Sequence, residues 1–224
     1  MTIKKFESKN ELENSLVAAI VSEISAAIEV YGDARILVSG GGTPLPLYRL
    51  LAAENVEWSK VKIGLVDERF VPLESEFNNG SQIQHAFSHP AAKSATFIGM
   101  VQNADDLNEN MKLVNENYQL FLERTDFTLL GMGEDGHTAS LFPNDPASEA
   151  ILMSDSLGIF PTQAPNYPFQ RITCSKQTLL NSTSLVLFIV GEKKLEILNN
   201  SSTAHLPISS FLENVPNLEV YYAK

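Results

Sequence analysis

The stretch Arg35-Ile36-Leu37-Val38-Ser39 is a short apolar run that leads directly into Gly40-Gly41-Gly42. After the glycines, Thr43 and Pro44 predict a helix start, because threonine caps helices and proline suits a first turn. The helical pattern continues to about Ala53. The order of strand, glycine loop and helix is the building unit of a parallel α/β sheet.

The same alternation recurs along the rest of the chain. Short, continuous apolar runs predict strands buried on both faces, and apolar residues at three- and four-residue spacing predict helices. We predict helices over 11–30, 105–123 and 193–198, and strands over 61–66, 95–98, 127–130, 185–190 and 218–222. Residues 143–170, with five prolines, are predicted to be loop with little regular structure. Because parallel strands need crossover helices, we expect one doubly wound α/β domain spanning residues 1–224.

Composition excludes several classes of protein. The 224 residues are 44% hydrophobic and 19% charged, which is enough for a substantial core and unlike a disordered chain. The net charge of −11 argues against nucleic-acid or anionic-membrane partners. The single cysteine, Cys174, is expected in a buried strand; it permits no internal disulfide and fits a reducing compartment. Apolar runs such as 184–190 are far shorter than the ~20 residues of a membrane span, so we predict a soluble, cytoplasmic protein.

Three segments at predicted strand ends carry candidate functional residues, because ligands of open α/β sheets bind beyond the carboxyl ends of the strands. In the first, residues 39–44, small side chains allow backbone amides to approach an anion at the positive end of a helix. This pattern favours a phosphate site. A tight glycine turn without a ligand is the alternative.

The second segment, Asp67-Glu68-Arg69, follows the apolar strand at 61–66 and is predicted to be a loop. Arg69 could clamp a phosphate or carboxylate, and Asp67 could orient a sugar hydroxyl or act as a base. An ordinary surface ion pair is the alternative. Two further basic positions, Arg171 and Lys193-Lys194, lie next to predicted strand ends or helix starts, where they could converge on the glycine loop.

The third segment, residues 131–143, holds Asp135 and His137 in a glycine-rich turn. Histidine can take a proton from water at neutral pH, and a nearby carboxylate can fix its tautomer, so the pair suits water activation. The pattern Gly131-x-Gly133-x-x-Gly136 formally matches a dinucleotide fingerprint, but Pro143 interrupts the long helix that such a site needs. Ser140 lacks a Gly-x-Ser-x-Gly elbow, so a serine nucleophile is not expected. No zinc-ligand spacing is present either, and the other histidines, His85, His89 and His205, are expected to be structural.

Three motifs together resemble the 6-phosphogluconolactonase family: residues 38–44, Asp67-Glu68-Arg69-Phe70-Val71-Pro72, and above all Gly131-Met132-Gly133-Glu134-Asp135-Gly136-His137-Thr138-Ala139-Ser140-Leu141-Phe142-Pro143. Order and spacing match over nearly the whole chain, including Arg171-Ile172-Thr173 and Gly191-x-x-Lys194. The resemblance implies a Rossmann-like three-layer α/β sandwich of the deaminase-like sugar-phosphate isomerase type, without a dinucleotide. It further implies hydrolysis of 6-phospho-D-glucono-1,5-lactone, with no metal or organic cofactor.

On this basis we hypothesise a role for each candidate residue. The substrate phosphate would be held by Ser39, Gly40, Gly41, Gly42, Thr43, Arg171 and Lys194. His137 would deprotonate water while Asp135 orients the imidazole. Arg69 or a loop amide would stabilise the oxyanion, and Asp67 would contact sugar hydroxyls or position Arg69. Gly42 and Asn78 depart from the family, which more often has serine at both positions; both departures bear on substrate fit.

Alternative functions remain open at this point. A glucosamine-6-phosphate deaminase or sugar-phosphate isomerase would share the fold and phosphate site, and a sensor would bind the sugar phosphate without turnover. A dinucleotide-dependent oxidoreductase is the least favoured. The expected partner is a small sugar-phosphate lactone, with the chain a monomer or a weak homodimer.

Overall fold

The computed structural model of the chain describes residues 2–212, 215 and 218–224. The strands of this part are β1 (Thr2–Phe6), β2 (Ala34–Val38), β3 (Val61–Leu65), β4 (Asp67–Arg69), β5 (Thr96–Ile98), β6 (Thr125–Leu130), β7 (Ile159–Gln163), β8 (Gln170–Cys174), β9 (Ser182–Val190) and β10 (Leu218–Ala223). The α-helices are α1 (Lys9–Tyr31), α2 (Leu45–Ala52), α3 (Asn79–Ala86), α4 (Leu107–Asn117), α5 (Gln119–Glu123), α6 (Pro146–Met153), α7 (Lys176–Leu180), α8 (Glu192–Asn200) and α9 (Ser209–Leu212). Two short 3-10 helices cover Trp58–Lys60 and Pro90–Ser94.

Seven strands form one sheet in the order β1-β10-β9-β6-β2-β3-β5, and every neighbouring pair in it is parallel. The predicted α/β fold with a mostly parallel sheet and flanking helices is confirmed. The other three strands form a small antiparallel sheet in the order β4-β8-β7, which the sequence did not predict.

Helix α1 shows how the apolar pattern produces the core. Ser8 caps its start by accepting a hydrogen bond from the backbone N–H of Glu11, and Gly32 ends it at a φ of 81°. Its buried apolar residues lie on one face, against β2, β6 and β10. In the described part of the chain, α1 is the one helix long and apolar enough to cross a membrane. Here its apolar face forms part of the protein core.

The prediction that residues 143–170 have little regular structure is wrong, because α6 and β7 lie there. Two of the prolines occupy positions where a missing N–H costs nothing. Pro146 is the first residue of α6, directly after the capping Asp145. Pro161 lies in β7, an edge strand of the small sheet.

Two predicted helices differ in detail. Thr43 does not cap α2, which begins at Leu45 with Pro44 in the capping position and no side-chain hydrogen bond. The helix predicted over 105–123 divides at Tyr118 into α4 and α5. The buried Tyr118 hydroxyl accepts a hydrogen bond from the N–H of Leu65 and donates one to the carbonyl of Ile98, which ties the break to β3 and β5. Tertiary contacts therefore determine where this helix divides.

The strand order places the loops that matter for function side by side. Strand β2 lies between β3, which follows it in sequence, and β6, which belongs to the other half of the sheet. The chain therefore winds in opposite directions from this point, and such a switch point leaves a crevice at the carboxyl ends of the two strands. The loops after β2 and β6 both open into that crevice.

Candidate active site

A cavity of about 210 Å³ lies at the carboxyl ends of β2 and β6, and residues of β4, β8, β9, α3 and α8 also line it. The candidate residues that line it are Ser39, Gly40, Gly41, Thr43, Asp67, Arg69, His137, Arg171 and Lys194. Gly42 and Asp135 are not part of the lining, although Asp135 contacts Nδ1 of His137, which is part of it. The structure thus brings residues from five separate segments to one cavity.

The glycine loop is fixed from two sides. The Tyr48 hydroxyl, fully buried in α2, donates a hydrogen bond of 2.6 Å to the backbone carbonyl of Ser39. A Cβ atom at Gly40 would lie 2.1 Å from the side chain of Asn79, so no other residue fits there unless Asn79 moves. Gly41 has a φ of +92°, which L residues rarely adopt. The first two glycines are therefore required by packing and by backbone conformation respectively.

Two arginines stand opposite one another across the small sheet. Residues 67–69 form strand β4, so their prediction as a loop is wrong, and β4 pairs with β8 so that Arg69 lies directly across from Arg171. Each guanidinium is held by a backbone carbonyl: Nη1 of Arg69 donates to Phe77 at 2.8 Å, and Nε of Arg171 donates to Pro168 at 2.9 Å.

This arrangement places two positive charges directly opposite each other. Neither arginine forms an ion pair with a carboxylate in the described residues, which removes the surface ion pair considered above. Burial, and next the charge of Arg69, lower the pKa of Arg171. Like charges directly opposite each other destabilise a strand pair. An anion bound between them would relieve that repulsion, so the geometry favours an anion site.

The alternation of side chains along β4 separates its two acids. Asp67 lines the cavity, and its Oδ2 accepts a hydrogen bond of 2.5 Å from the hydroxyl of Ser140. Glu68 points to the other side and accepts backbone N–H groups of Asn79 and Gly80 at the start of α3. Burial raises the pKa of Glu68 to about 7, against the opposing effect of these hydrogen bonds. Glu68 is therefore a structural residue that holds α3 to β4.

His137 and Asp135 form the pair that their spacing predicted. Nδ1 of His137 lies 2.5 Å from Oδ1 of Asp135, and the same oxygen accepts the backbone N–H of His137 at 3.2 Å. Burial alone would raise the pKa of Asp135, but its interactions with His137 outweigh that effect and the pKa lies below its usual value. With Nδ1 engaged, Nε2 is the ring nitrogen left for proton transfer in the cavity.

The glycines of this third segment serve the His137 turn. A Cβ atom at Gly133 would lie 2.2 Å from the imidazole of His137, and Gly136 has a φ of +76°. The backbone closes the turn with a hydrogen bond of 2.9 Å from the N–H of Gly133 to the carbonyl of His137. No helix follows until α6 begins at Pro146, in keeping with the prediction that the match to the dinucleotide fingerprint is accidental.

The two adjacent lysines differ in their surroundings. Lys193 is exposed and pairs with Glu134, whereas Lys194, in the first turn of α8, is half-buried and lines the cavity. Burial lowers the pKa of Lys194. Lys194 is therefore the lysine that can reach a ligand.

Sequence reasoning missed two neighbours of these residues. The ring of Phe142 lies 4.7 Å from the His137 ring and 5.6 Å from the guanidinium carbon of Arg171, so it packs against both. Asn79, which was not among the candidate residues, packs against Gly40 and lines the cavity. Phe142 could have been identified as a candidate because it belongs to the same motif as His137. Nothing local indicates the contact of Asn79 with Gly40, which depends on the fold.

Within the described ranges, no three His, Cys, Asp or Glu side chains lie close enough together to hold a metal ion. Cys174 lies in β8, fully buried as predicted, and burial raises the pKa of its thiol. A thiol in that state is a poor nucleophile and a poor ligand.

Comparison with known proteins identifies the family. Residues 7–218 match the family model described as glucosamine-6-phosphate isomerases/6-phosphogluconolactonase. The 6-phosphogluconolactonase of Pseudomonas putida is 35% identical over 217 residues, which cover 94% of this chain and 88% of that protein. The Pseudomonas aeruginosa protein of the same name is 33% identical over 212 residues, covering 92% and 88%.

A solved structure gives the same result for the fold. The crystal structure of a 6-phosphogluconolactonase from Shewanella baltica superposes with a TM-score of 0.93 at 31% identity, covering 100% of this chain and 98% of that one. The likeness in fold thus extends over the length of the chain. The chain belongs to the glucosamine-6-phosphate isomerase/6-phosphogluconolactonase family.

Proposed function

We propose that the chain hydrolyses 6-phospho-D-glucono-1,5-lactone to 6-phospho-D-gluconate, the second step of the oxidative pentose phosphate pathway. The observation that carries this proposal is the meeting of two unpaired, opposed arginines with the Asp135-supported His137 at one cavity. The arginines suit an anionic substrate, and the histidine suits activation of water. The similarity to named 6-phosphogluconolactonases over more than nine-tenths of the chain supports the same activity.

The phosphate of the substrate binds to the glycine loop, Arg171 and Lys194. Backbone amides of residues 39–43 supply donors of fixed direction, and the two cations supply charge. Because the chain carries a net charge of −11, its overall field opposes a negatively charged substrate. Affinity therefore depends on these few local groups, and loss of one of them weakens substrate capture.

Hydrolysis proceeds by attack of water on the lactone carbonyl. Nε2 of His137 takes a proton from the water as its oxygen bonds to C1, and Asp135 stabilises the imidazolium that forms. When the tetrahedral intermediate collapses, the bond from C1 to the ring oxygen breaks, and that oxygen receives the proton from Nε2. The lactone is an activated ester, so positioning and one base are sufficient and no covalent nucleophile is needed.

The remaining charged groups act on the reacting ring. Arg69, opposite Arg171, stabilises the negative oxygen of the tetrahedral intermediate, a contribution of several kcal/mol in comparable sites, roughly 3 kcal/mol per donor. Asp67, on the same strand, accepts a hydrogen bond from a sugar hydroxyl. Arg69 and Asp67 are two residues apart on β4 and therefore point to the same side.

The proposal includes a cellular setting. We propose that the enzyme works in the cytoplasm as a monomer or weak homodimer, without a nucleic-acid or membrane partner. The buried, unreactive Cys174 agrees with a reducing compartment.

A coupled assay tests the proposed reaction. Glucose-6-phosphate dehydrogenase generates the lactone, 6-phosphogluconate dehydrogenase reports its hydrolysis, and the spontaneous rate is subtracted. We expect hydrolysis proportional to protein concentration, and much slower hydrolysis of unphosphorylated glucono-1,5-lactone. Absence of acceleration contradicts the proposal. Ammonia release from glucosamine 6-phosphate would instead indicate a deaminase, and binding without turnover would indicate a sensor.

A further inference from the structure

Ser140 is fully buried beside the cavity, and all of its polar groups are engaged. Its hydroxyl donates to Oδ2 of Asp67 at 2.5 Å, and its backbone N–H donates to the hydroxyl of Thr173 at 3.3 Å. Its carbonyl accepts a hydrogen bond of 2.7 Å from the hydroxyl of Thr162. Ser140 is thus held in place from both β7 and β8, with its side chain directed at Asp67.

The backbone around Ser140 is shaped for this contact. Ala139 has a φ of 49°, a left-handed conformation that residues other than glycine rarely adopt. The N–H of Leu141 donates to the carbonyl of Thr138, closing a tight turn over residues 138–141. The Thr138 hydroxyl donates to the carbonyl of Gly131, which ties the turn to the end of β6. An unfavourable backbone conformation kept in this way marks a turn with a specific task.

The same contacts exclude Ser140 as a nucleophile. Its hydroxyl has no exposure to solvent and is committed as a donor to Asp67. A substrate in the cavity meets Asp67, which is 8% exposed, before it could meet Ser140. Ser140 therefore acts on the cavity through Asp67.

Asp67 is placed among positive charges but pairs with none of them. The three residues Asp67, Arg69 and Arg171 all line the cavity, and the negative charge of Asp67 interacts favourably with Arg171. Even so, no ion pair between Asp67 and either arginine is found in the described structure, and the carboxylate instead accepts the hydrogen bond from Ser140. A carboxylate free to rotate in this field would pair with a guanidinium, since such pairs are bidentate and strong.

We propose that Ser140 is a positioning residue that prevents Asp67 from pairing with Arg69 or Arg171. Two consequences follow for the cavity. Both arginines keep their donors for the anionic groups of the substrate, and the second oxygen of Asp67 is presented to a substrate hydroxyl. The interpretation of the second consequence rests on the proposed function, but the first concerns anion binding and can be tested without turnover.

Isothermal titration with inorganic phosphate tests the claim on the whole protein. In Ser140→Ala, Asp67 loses its donor and turns to the arginines, so we expect phosphate to bind about ten-fold more weakly, a change of about 1.4 kcal/mol. Asp67→Asn removes the competing charge. We therefore expect the double variant, Ser140→Ala with Asp67→Asn, to bind phosphate at least as tightly as the wild-type protein.

Thr162→Val is the matched control. It removes a hydrogen bond of similar burial from the same serine, at the carbonyl, and leaves the contact of Ser140 with Asp67 intact. We expect less than a two-fold change in phosphate affinity in this variant. Thermal unfolding shows whether each variant is folded, and Ser140→Cys, with a weak donor, provides a milder substitution with an intermediate loss.

Three results would overturn the proposal: unchanged phosphate affinity in folded Ser140→Ala, no recovery in the double variant, or an equal loss in Thr162→Val. A protein without lactonase activity that still shows loss and recovery of phosphate binding would contradict the proposed function but retain this inference. Where activity is present, KM for the lactone should rise in Ser140→Ala. It should recover only partly when Asp67→Asn is added, because that substitution itself weakens the contact with the sugar hydroxyl.

Discussion

Replacing Gly133 with alanine adds one methyl group next to the proposed base. An ideal Cβ atom there would lie 2.2 Å from Cε1 and from Nδ1 of His137, and 2.6 Å from Oδ1 of Asp135. The φ angle of Gly133 lies outside the left-handed region, so alanine introduces no backbone strain of that kind. The effect of the substitution is therefore steric and falls on the two side chains that form the base.

The size of the effect follows from these distances. Ordinary contacts of a Cβ atom begin at 3.4 Å, so the imidazole must retreat by more than about 1 Å. Asp135 is blocked as well, which prevents the pair from moving together without changing its geometry. A misplacement of about 1 Å costs on the order of 10²-fold in rate, or about 2.7 kcal/mol in the activation barrier.

Steady-state kinetics with the phosphorylated lactone should show this loss in kcat. Because Arg69, Arg171 and Lys194 are not displaced, we expect KM to change by less than about three-fold. Gly99→Ala is the control, since the nearest atom to its added Cβ is a ring carbon of Phe97 at 3.9 Å. We expect wild-type kinetics from that variant. A Gly133→Ala protein with wild-type kcat would refute the role assigned to His137.

Three further predictions concern individual charges. Since burial lowers the pKa of Lys194, its charge is lost at a lower pH than that of an ordinary lysine. Affinity for 6-phosphogluconate, measured by titration, should therefore fall already as the pH rises toward the ordinary lysine pKa of about 10.4, and Lys194→Arg should abolish that fall. Burial raises the pKa of Glu68 from 4.5 to about 7, so between these pH values the folded state binds a proton that the unfolded state releases. As pH rises through this interval, the wild-type protein should therefore lose about 3 kcal/mol of stability relative to Glu68→Gln. An equal pH dependence of the unfolding free energy in the two proteins would contradict this. Burial alone would raise the pKa of Asp33, but hydrogen bonds from Lys62, Arg124 and Arg35 hold the pKa well below the usual range. Asp33→Asn should therefore lower the melting temperature above about pH 4, and this difference from the wild-type protein should disappear in acid. The kcat of the variant should be unchanged.

The main sheet could be predicted from the sequence because its strands are buried on both faces. Runs such as 61–66 and 127–130 are mainly apolar, and the helices between them have a clear periodicity. The small antiparallel sheet could not be predicted in this way. Its strand β4 is Asp67-Glu68-Arg69, a charged triplet whose extended form depends on pairing with residues about a hundred positions away.

The candidate site shows the same division. The chemistry of each loop could be predicted from its own residues: glycines before a helix, a carboxylate two residues from a histidine, and an arginine after a strand. The contacts between loops could not be predicted, because the position of Arg69 opposite Arg171 depends on the register of β4 and β8. The contact of Ser140 with Asp67 likewise joins residues 73 positions apart. The sequence therefore predicts the functional groups of each segment, whereas the contacts between segments depend on the fold.

The most direct test of water activation by His137 is the rate of lactone hydrolysis by His137→Asn, measured in the coupled assay against the spontaneous rate. Asparagine retains a polar side chain of smaller size but cannot accept the proton of the attacking water. We predict a fall in kcat of roughly 10²-fold to 10⁴-fold, with phosphate binding preserved. A variant that hydrolyses 6-phosphogluconolactone at a rate near that of the wild-type protein would contradict it.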